Sequence, residues 1–595
     1  MVTEAGGHRA APSPLPWLER LGAHPVSAEE TAFRVWAPAA RDGVAVILGN
    51  GRRVRAEAMA PAGYGVYTLT TTAPAGTDYR FQVNGRRLPD PASASQPTGL
   101  RGPSRVWAPP APGPAQTGRF SPAPLAEQVI YELHIGTFSE AGTFTGAIPY
   151  LAGLAELGVT AIEVMPIGEF PGARGWGYDG VYLSAAQSTY GGPDGFLALV
   201  EAAHACGLAV ILDVVYNHVG ASGVKALEAF GPYFTDRYET PWGRALNYDD
   251  AGADPVREWV CQSAERWVGD FGVDGLRLDA VHAIFDASCE HLVAELSRRV
   301  KAIDVRTVVI AESALNDPKV MRPPDRGGWG TDASWADDFH HAVRTLLTDE
   351  HEGYYADFGA VGDLAKALGR PFVYDGVYSP VRDRVIGAPA GDLPRHAFVV
   401  CTQNHDQVGN RAFGDRLAAP ARPLAAMLTL LSGYVPMLFM GEEYGEDAPF
   451  QFFCDHIDPK IAEATRQGRR AEFAAFASFG SEIPDPMAPD TFAASTLTRR
   501  EDPQLAALYR ALLSLRGELD LGDPTGLEWD EDARQLTVTR PGWTLVANFG
   551  PETVTHLATG RRLALGSDPA VSVARGTLTL PAWGGAVLVD ETAAR

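Results

Sequence analysis

Cysteine is scarce in this chain, and its positions are scattered. The sequence of 595 residues holds five cysteines, Cys206, Cys261, Cys289, Cys401 and Cys454, and none of them forms a CxxC pair. This spacing excludes a disulfide framework and does not match a zinc-binding pattern. We therefore predict mostly buried thiols and a cytoplasmic location.

Positive charge is also in short supply. Lys and Arg together number 50, against 73 Asp and Glu, which gives a formal net charge of −23. Such a surface repels phosphate backbones and anionic lipids, so neither nucleic acid nor a membrane is expected as a partner. A neutral substrate is expected instead.

The chain lacks a long apolar run and a visible secretion signal. Its longest uncharged run, residues 424–440, is interrupted by Ser432, Gly433 and Pro436. A buried helix, a turn and a buried strand fit this run better than a membrane span. Residues 1–20 show no basic start followed by an apolar core, so no signal peptide is expected.

The first part of the chain has the pattern of short strands. Residues 31–36, 44–48, 64–67 and 78–83 are rich in β-branched and aromatic residues and end at turn sequences. This spacing predicts an N-terminal β-sandwich within residues 1–110. The Pro-rich segment 107–114 is predicted to be a linker.

From residue 128 onward, predicted strands alternate with helices. The strands are predicted at residues 129–134, 161–165, 208–216, 275–281, 308–312, 397–403 and 436–440, with a weaker one near Trp335. This alternation predicts a (β/α)8 TIM barrel with insertions, within residues 111–525. An open doubly wound sheet is the alternative, but no Gly-rich phosphate loop follows the first strand.

The last part of the chain returns to a strand pattern. Residues 535–539, 544–547, 577–580 and 586–589 alternate apolar and polar side chains. They predict a compact antiparallel β domain over residues 526–595.

Acidic residues follow several of the predicted barrel strands. Asp279, Glu312 and Asp406 stand at three strand ends, and Arg277 precedes Asp279 by two residues. In a barrel these ends meet at one face, so the acids should converge. Carboxylates without a phosphate loop, a Cys nucleophile or zinc spacing indicate glycosidic bond cleavage, in which one acid is ionised and another protonated. Arg277 would hold Asp279 ionised, while crowded negative charge would raise the pKa of Glu312.

Four blocks extend this interpretation. Residues 212–218 (LDVVYNH), 275–281 (GLRLDAV), 310–313 (IAES) and 403–407 (QNHDQ) resemble the four motifs of the α-amylase family of glycoside hydrolases. The resemblance implies that Asp279 is the nucleophile and Glu312 the general acid/base. Asp406 would be the third acid, which binds and distorts the sugar ring.

The same resemblance implies roles in substrate binding. Arg277 would be the partner of the nucleophile, and His218 and His405 would bind sugar hydroxyls. Tyr178, within the sequence GWGYD, would be the aromatic platform under the cleaved sugar.

Further blocks resemble a narrower family, the maltooligosyltrehalose trehalohydrolases. They are residues 131–144, 176–182, 334–343, 352–358 and 449–459. The resemblance implies hydrolysis of the α-1,4 bond next to a terminal trehalose unit. It also implies contacts to that unit from Trp176, Asp179, His282 and Asp337 with Asp338, although one acid of the last pair is expected to cap a helix instead.

Two other functions are weighed against this one. A glycogen-branching transferase shares the N-terminal sandwich and the QNHDQ block, and a catalytically silent glucan-binding protein would keep the barrel as a scaffold. The intact acid trio argues against the silent protein. No cofactor and no metal ion are expected, because the segment between Val219 and Asp254 is short for the calcium-holding domain of amylases.

Overall fold

The structure is a computed structural model and describes residues 15–50, 54–110, 120–474 and 483–591. Residues 1–14, most of the segment in which no signal peptide is expected, lie outside the described residues. So do residues 111–114 of the predicted linker.

The N-terminal module consists of two antiparallel sheets, which confirms the predicted sandwich. Along Asp78–Val83 the side chains alternate between half-buried and buried, and Phe33 packs edge to face on Tyr79 in the core. The module rests on the barrel, where Trp259 donates its indole N–H to the Pro91 carbonyl at 3.0 Å. Its strands are Gly22–Pro25, Glu30–Trp36, Val44–Leu48, Arg55–Ala58, Ala60–Gly63, Val66–Thr72, Asp78–Val83, Arg86–Leu88 and Ser104–Arg105.

A closed barrel of eight strands follows. The strands run parallel in chain order, and the first pairs with the last, so that Ile130 lies opposite Met437. This closure confirms the predicted barrel and excludes the open sheet. Both faces are covered, which explains the short apolar runs of the sequence. The strands are Ile130–Leu133, Ala161–Val164, Ala209–Val214, Gly275–Leu278, Val308–Ala311, Ala333–Trp335, Phe398–Val400 and Val435–Phe439.

Helices and short hairpins surround the barrel. The helix Gly192–Ala205 buries Phe196, Leu199, Val200 and Ala203, as predicted, but begins three residues earlier, because proline is tolerated in a first helical turn. The other α-helices are Ile135–Phe138, Phe144–Ala147, Leu151–Leu157, Val224–Leu227, Ala253–Asp270, Leu292–Ile303, Asp337–Thr348, Val361–Gly369, His405–Gly409, Arg422–Leu430, Pro459–Ala474, Pro489–Ala494 and Pro503–Arg516. The hairpins pair Gly168–Glu169 with Tyr182–Ala186, Phe234–Thr240 with Gly243–Leu246, and Val377–Ser379 with Arg384–Ile386.

The long uncharged run forms a helix, a turn and a strand, as predicted. The helix Arg422–Leu430 and the strand Val435–Phe439 are both buried. No helix among the described residues is both long and apolar enough to cross a membrane.

The C-terminal region is an antiparallel β domain of two sheets, also as predicted. Its buried Arg540 donates to the Ser432 carbonyl at 2.7 Å and so fastens the domain to the barrel. The domain boundaries near residues 110 and 525 remain predictions. The strands are Gly526–Asp530, Gln535–Arg540, Trp543–Asn548, Val554–Leu557, Arg561–Gly566, Ser572–Ala574, Thr577–Leu580 and Gly585–Asp590.

Candidate active site

Arg277 joins the two central acids at the C-terminal mouth of the barrel. Its guanidinium is fully buried, with Nη1 2.9 Å from Asp279 Oδ1 and Nη2 3.5 Å from Glu312 Oε2. The fourth barrel strand carries Arg277 and ends just before Asp279, whereas Glu312 follows the fifth. The predicted contact between Arg277 and Asp279 is therefore present.

Hydrogen-bond donors surround the Asp279 carboxylate. Asn217 donates from Nδ2 to Asp279 Oδ2 at 2.6 Å and to its main-chain carbonyl at 2.9 Å. Arg277 donates to Oδ1, so each oxygen of the Asp279 carboxylate accepts a hydrogen bond. This arrangement stabilises the negative charge that an attacking carboxylate needs.

The environment of Glu312 favours its protonated form. Its pKa is raised to about 8, first by burial and then by the charges of Asp279 and Asp406, against the lowering effect of Arg277. This direction agrees with the expectation from the sequence, but burial is the first cause and was not foreseen. Glu312 Oε2 also accepts the backbone N–H of Ala280 at 2.6 Å. A carboxyl that is protonated at neutral pH can donate its proton to a leaving oxygen.

The loop at Ala280 holds this geometry under strain. Ala280 adopts a left-handed conformation with φ of +41°, which costs a residue with a side chain about 1–2 kcal/mol. In this strained turn the N–H of Ala280 points to Glu312, while the Asp279 carboxylate keeps its ion pair with Arg277. One turn therefore positions both acids.

Asp406 is the most open acid of the trio. It lies in the short helix His405–Gly409, and its side chain is 40% exposed. Its Oδ1 accepts from Asn410 Nδ2 at 3.1 Å and lies 3.5 Å from His405 Nε2. The carboxylate is therefore accessible from the mouth of the barrel.

His405 and Tyr178 form the floor of the site. Their rings stack with centroids 5.1 Å apart, and the Tyr178 hydroxyl lies 2.8 Å from His405 Nε2. The hydroxyl donates to Asp213 Oδ2 at 2.6 Å, and Arg277 Nη1 donates to the same oxygen at 2.7 Å. The other ring nitrogen of His405 faces Glu132 at 2.6 Å. Sequence reasoning missed Glu132, although an acid inside an otherwise apolar strand was a signal.

His218 has both ring nitrogens occupied by the protein. Its Nδ1 contacts Asn217 Oδ1, and its Nε2 lies 3.0 Å from the Tyr178 carbonyl. The ring of Trp242, which is 49% exposed, stacks on it at a centroid distance of 5.3 Å. Trp242 belongs to the turn of a hairpin and had no motif to mark it.

Of the residues expected to contact the trehalose unit, Asp337 and His282 lie close to the acid trio, whereas Asp338 does not face the site. Burial raises the pKa of Asp337 to about 7, with a further contribution from Asp406, so Asp337 lies near the trio. His282 follows Asp279 in the same loop, and burial lowers its pKa. Asp338 accepts instead from the backbone N–H groups of Val373 and Tyr374 and from Asn316, so it anchors a loop.

Trp176 and Asp179, two further residues expected to contact the trehalose unit, both contact the segment around residues 450–456. Trp176 is buried, stacks on Phe450 and donates its indole N–H to the Gln451 carbonyl at 3.0 Å. Asp179 lies 3.8 Å from His456 and is 38% exposed.

Among the described residues, no cluster of His, Cys, Asp and Glu side chains could hold a metal ion. The expectation of no metal and no cofactor remains a prediction.

Comparison with known families agrees with this geometry. Residues 125–229 match the α-amylase catalytic domain, and residues 20–111 match carbohydrate-binding module 48, the isoamylase N-terminal domain. A barrel with acids at its mouth behind such a module defines a glycoside hydrolase of the α-amylase class.

Individual relatives narrow the class. The malto-oligosyltrehalose trehalohydrolase of Saccharolobus solfataricus is 44% identical over 88% of this chain and 91% of its own length. That of Rhizobium sp. (strain M-11) is 41% identical over 94% and 97%. The chain belongs to the malto-oligosyltrehalose trehalohydrolase family.

Two further similarities bear on fold and on the alternative function. A solved structure from Salmonella typhimurium, assigned to the α-amylases, is 36% identical, with a TM-score of 0.86 over 96% of this chain and 99% of its own. A 1,4-alpha-glucan branching enzyme from Bacillus caldolyticus is 29% identical, over only 54% of this chain and 49% of that enzyme.

Proposed function

We propose that the chain hydrolyses the α-1,4 bond next to the terminal trehalose of a maltooligosyltrehalose and releases free trehalose. The observation that carries the proposal is the pair of acids on one guanidinium, where Asp279 is surrounded by donors and Glu312 is kept protonated by burial. Two carboxyls with opposite protonation states are what glycoside hydrolysis requires. The family relationship supports the choice of substrate.

The reaction proceeds in two steps with retention of configuration. In the first step an Asp279 oxygen bonds to the anomeric carbon, the bond to the leaving oxygen breaks, and the proton of Glu312 passes to that oxygen, which frees trehalose. In the second step Glu312 takes a proton from water, the hydroxyl oxygen bonds to the anomeric carbon, and the bond to Asp279 breaks. Sharing one guanidinium supports the short separation of retaining carboxyls, about 5–5.5 Å.

The remaining polar groups bind the sugars. Asp406 is exposed enough to accept from hydroxyls of the ring under attack, which lies on Tyr178. We assign Asp337 and His282 to the side of the leaving trehalose, because Asp337 lies near the trio and His282 follows Asp279 in the same loop. A site built from hydrogen bonds rejects substrates that leave its polar groups unpaired.

Product analysis tests the proposal. Purified enzyme is given maltotriosyltrehalose or maltopentaose, which contain equal numbers of glucose units, with the Asp279→Asn variant as the control. We expect trehalose and maltotriose from the first substrate, with a kcat/KM at least ~100-fold above that for maltopentaose. A ratio near one would contradict the specificity. Early release of the β anomer would contradict retention.

Branching activity is the alternative outcome. A transferase must bind a second glucan and exclude water, so new α-1,6 linkages in the products would move the function to a branching enzyme. Five free cysteines support a reducing compartment, and the cytoplasm is the proposed location.

A further inference from the structure

A buried pair links the first barrel strand to the floor of the site. Glu132 Oε2 accepts the backbone N–H of His405 at 2.8 Å, and Oε1 lies 2.6 Å from the ring Nδ1. Both side chains are 1% exposed. The reaction proposed above gives Glu132 no role, although it is an ionisable group inside the barrel.

The direction of the neighbouring hydrogen bonds determines the protonation of His405. Tyr178 has one hydroxyl proton, which it donates to Asp213, a carboxylate that also accepts from Arg277. His405 Nε2, 2.8 Å from the same hydroxyl, must then be the donor. His405 Nδ1 faces Glu132 and carries a proton as well. The imidazole ring is therefore doubly protonated.

The charges around His405 agree with this assignment. Burial lowers its pKa, but the charges of Asp406 and Glu132 and the hydrogen bond to Glu132 outweigh burial and raise it to about 9, against the effect of Arg277. The titratable groups that face it from the surrounding elements are Glu132, His134, Glu163, Tyr178, Asp213, Arg277 and Asp406.

Asp406 and Glu132 are the two groups that raise the pKa of His405 most, and of these two Glu132 is the buried one. Asp406 is 40% exposed and faces the mouth, where a bound sugar competes for it. His134 is neutral near pH 7, because burial lowers its pKa to about 4. Burial raises the pKa of Glu163 well above its usual range and so disfavours its charged form. Glu132 is therefore the steady counter-charge.

We propose that Glu132 is a positioning residue that keeps His405 doubly protonated, so that Nε2–H donates to Tyr178 and Tyr178 donates onward to Asp213. If His405 kept a proton only on Nδ1, Tyr178 would have to donate to Nε2 and would release Asp213. The platform ring and the carboxylate next to Arg277 would then lose their shared hydrogen bond. This role rests on the proposed hydrolysis, because it concerns the same floor.

Glu132→Gln tests the role, and Glu163→Gln is its matched control. Glu132 and Glu163 lie opposite each other on the first two barrel strands, and both are buried. At residue 132 glutamine removes the carboxylate that contacts His405, whereas at residue 163 it replaces an acid whose charged form is disfavoured by burial. Loss of the counter-charge should lower the His405 pKa by about 1–3 units, from about 9 to below the Glu312 pKa of about 8. The alkaline limb of kcat/KM on maltotriosyltrehalose, which Glu312 sets in the wild type, should then be set by His405 and move lower by up to about 2 units in Glu132→Gln. In Glu163→Gln it should coincide with the wild type.

The pH dependence separates positioning from simple structural damage. Between the two limbs the ratio of wild-type to Glu132→Gln activity should grow about tenfold for each pH unit. A loss of equal size at every pH would overturn the proposal, because it would indicate a packing defect. Glu132→Asp, which restores the charge on a shorter side chain, should return part of the shift.

A second readout does not depend on activity or on a folded Glu132 variant. In wild-type protein labelled with ¹⁵N-histidine, the His405 signals, assigned by their loss in His405→Asn, should remain those of an imidazolium at pH 8. A neutral His405 at that pH would overturn the proposal. Wild-type enzyme that leaves maltotriosyltrehalose intact would instead refute the proposed function and leave this protonation state to the NMR measurement.

Discussion

Replacement of Glu312 by Gln removes the proton that the leaving oxygen needs while keeping the size of the side chain. The amide oxygen of Gln can still accept the N–H of Ala280, which Glu312 Oε2 accepts at 2.6 Å. Arg277 retains Asp279 and Asp213 as partners. We therefore expect a folded enzyme with an intact nucleophile.

The size of the effect follows from the chemistry of the leaving group. General acid catalysis contributes about 10²–10⁴-fold, so kcat/KM on maltotriosyltrehalose should fall by that factor in Glu312→Gln. An aryl glycoside with a nitrophenol leaving group needs little protonation, and its first step should fall far less. Its second step lacks the general base, so the glycosyl-enzyme should accumulate.

Rapid mixing with the aryl glycoside measures both steps. The variant should release a burst of nitrophenol equal to the enzyme concentration, followed by slow turnover. The wild type should show an alkaline limb near the Glu312 pKa of about 8 on the natural substrate. Equal losses on both substrates, or a variant without a burst, would refute the assignment of Glu312 as acid and base.

Stability gives an independent check with a defined sign. Because the folded pKa of Glu312 is raised from 4.5 to about 8, its contribution to stability is fully present below pH 4.5 and is lost as the pH rises through 8. The gain in melting temperature of Glu312→Gln over the wild type should therefore increase from pH 5 to pH 8. A gain that is constant with pH would contradict the burial of an ionisable group.

The other predictions concern the nucleophile and the acidic pair beside the trio. Asp279→Asn should lower kcat by at least about 10⁴-fold, as the loss of a catalytic nucleophile does elsewhere, with an unchanged melting temperature; residual turnover near wild type would exclude the role. Asp338→Ala should lower the free energy of unfolding by about 1–3 kcal/mol or more, because it leaves the N–H groups of Val373 and Tyr374 unpaired, measured by urea denaturation. Asp337→Asn should instead raise KM for maltotriosyltrehalose without a loss of stability, and the reverse pattern in this pair would contradict the geometry.

The sequence was sufficient to predict the barrel and the acids at its mouth. The barrel strands begin and end within a few residues of the predicted ranges, because short β-branched runs between turns leave few choices. Asp279, Glu312 and Asp406 follow three of those strands, and parallel strands bring their ends to one face. Barrel geometry therefore made their approach predictable before any distance was known.

Contacts that depend on closure of the barrel could not be predicted. Glu132 and His405 are 273 residues apart. Glu132 lies in the first barrel strand and His405 follows the seventh, so the two meet only because the first strand pairs with the eighth and closes the barrel. The orientation of Asp338 depends on a loop near Tyr374 that carries no motif. Trp242 reaches His218 from a hairpin whose register is irregular.

The hydrogen-bond donors at the mouth add to burial in distinguishing Glu312 from the other acids that contact Arg277. Asp279, Asp213 and Glu312 all contact Arg277, whose single positive charge cannot compensate three carboxylates. Asp279 has Asn217 as an additional donor and Asp213 has Tyr178, whereas the additional donor of Glu312 is one backbone N–H. Glu312, the acid with the longest contact to Arg277, therefore has the weakest compensation for the burial that raises its pKa. Removing the Asn217 amide would reduce this difference, because Asp279 would lose its second donor while Glu312 kept its own.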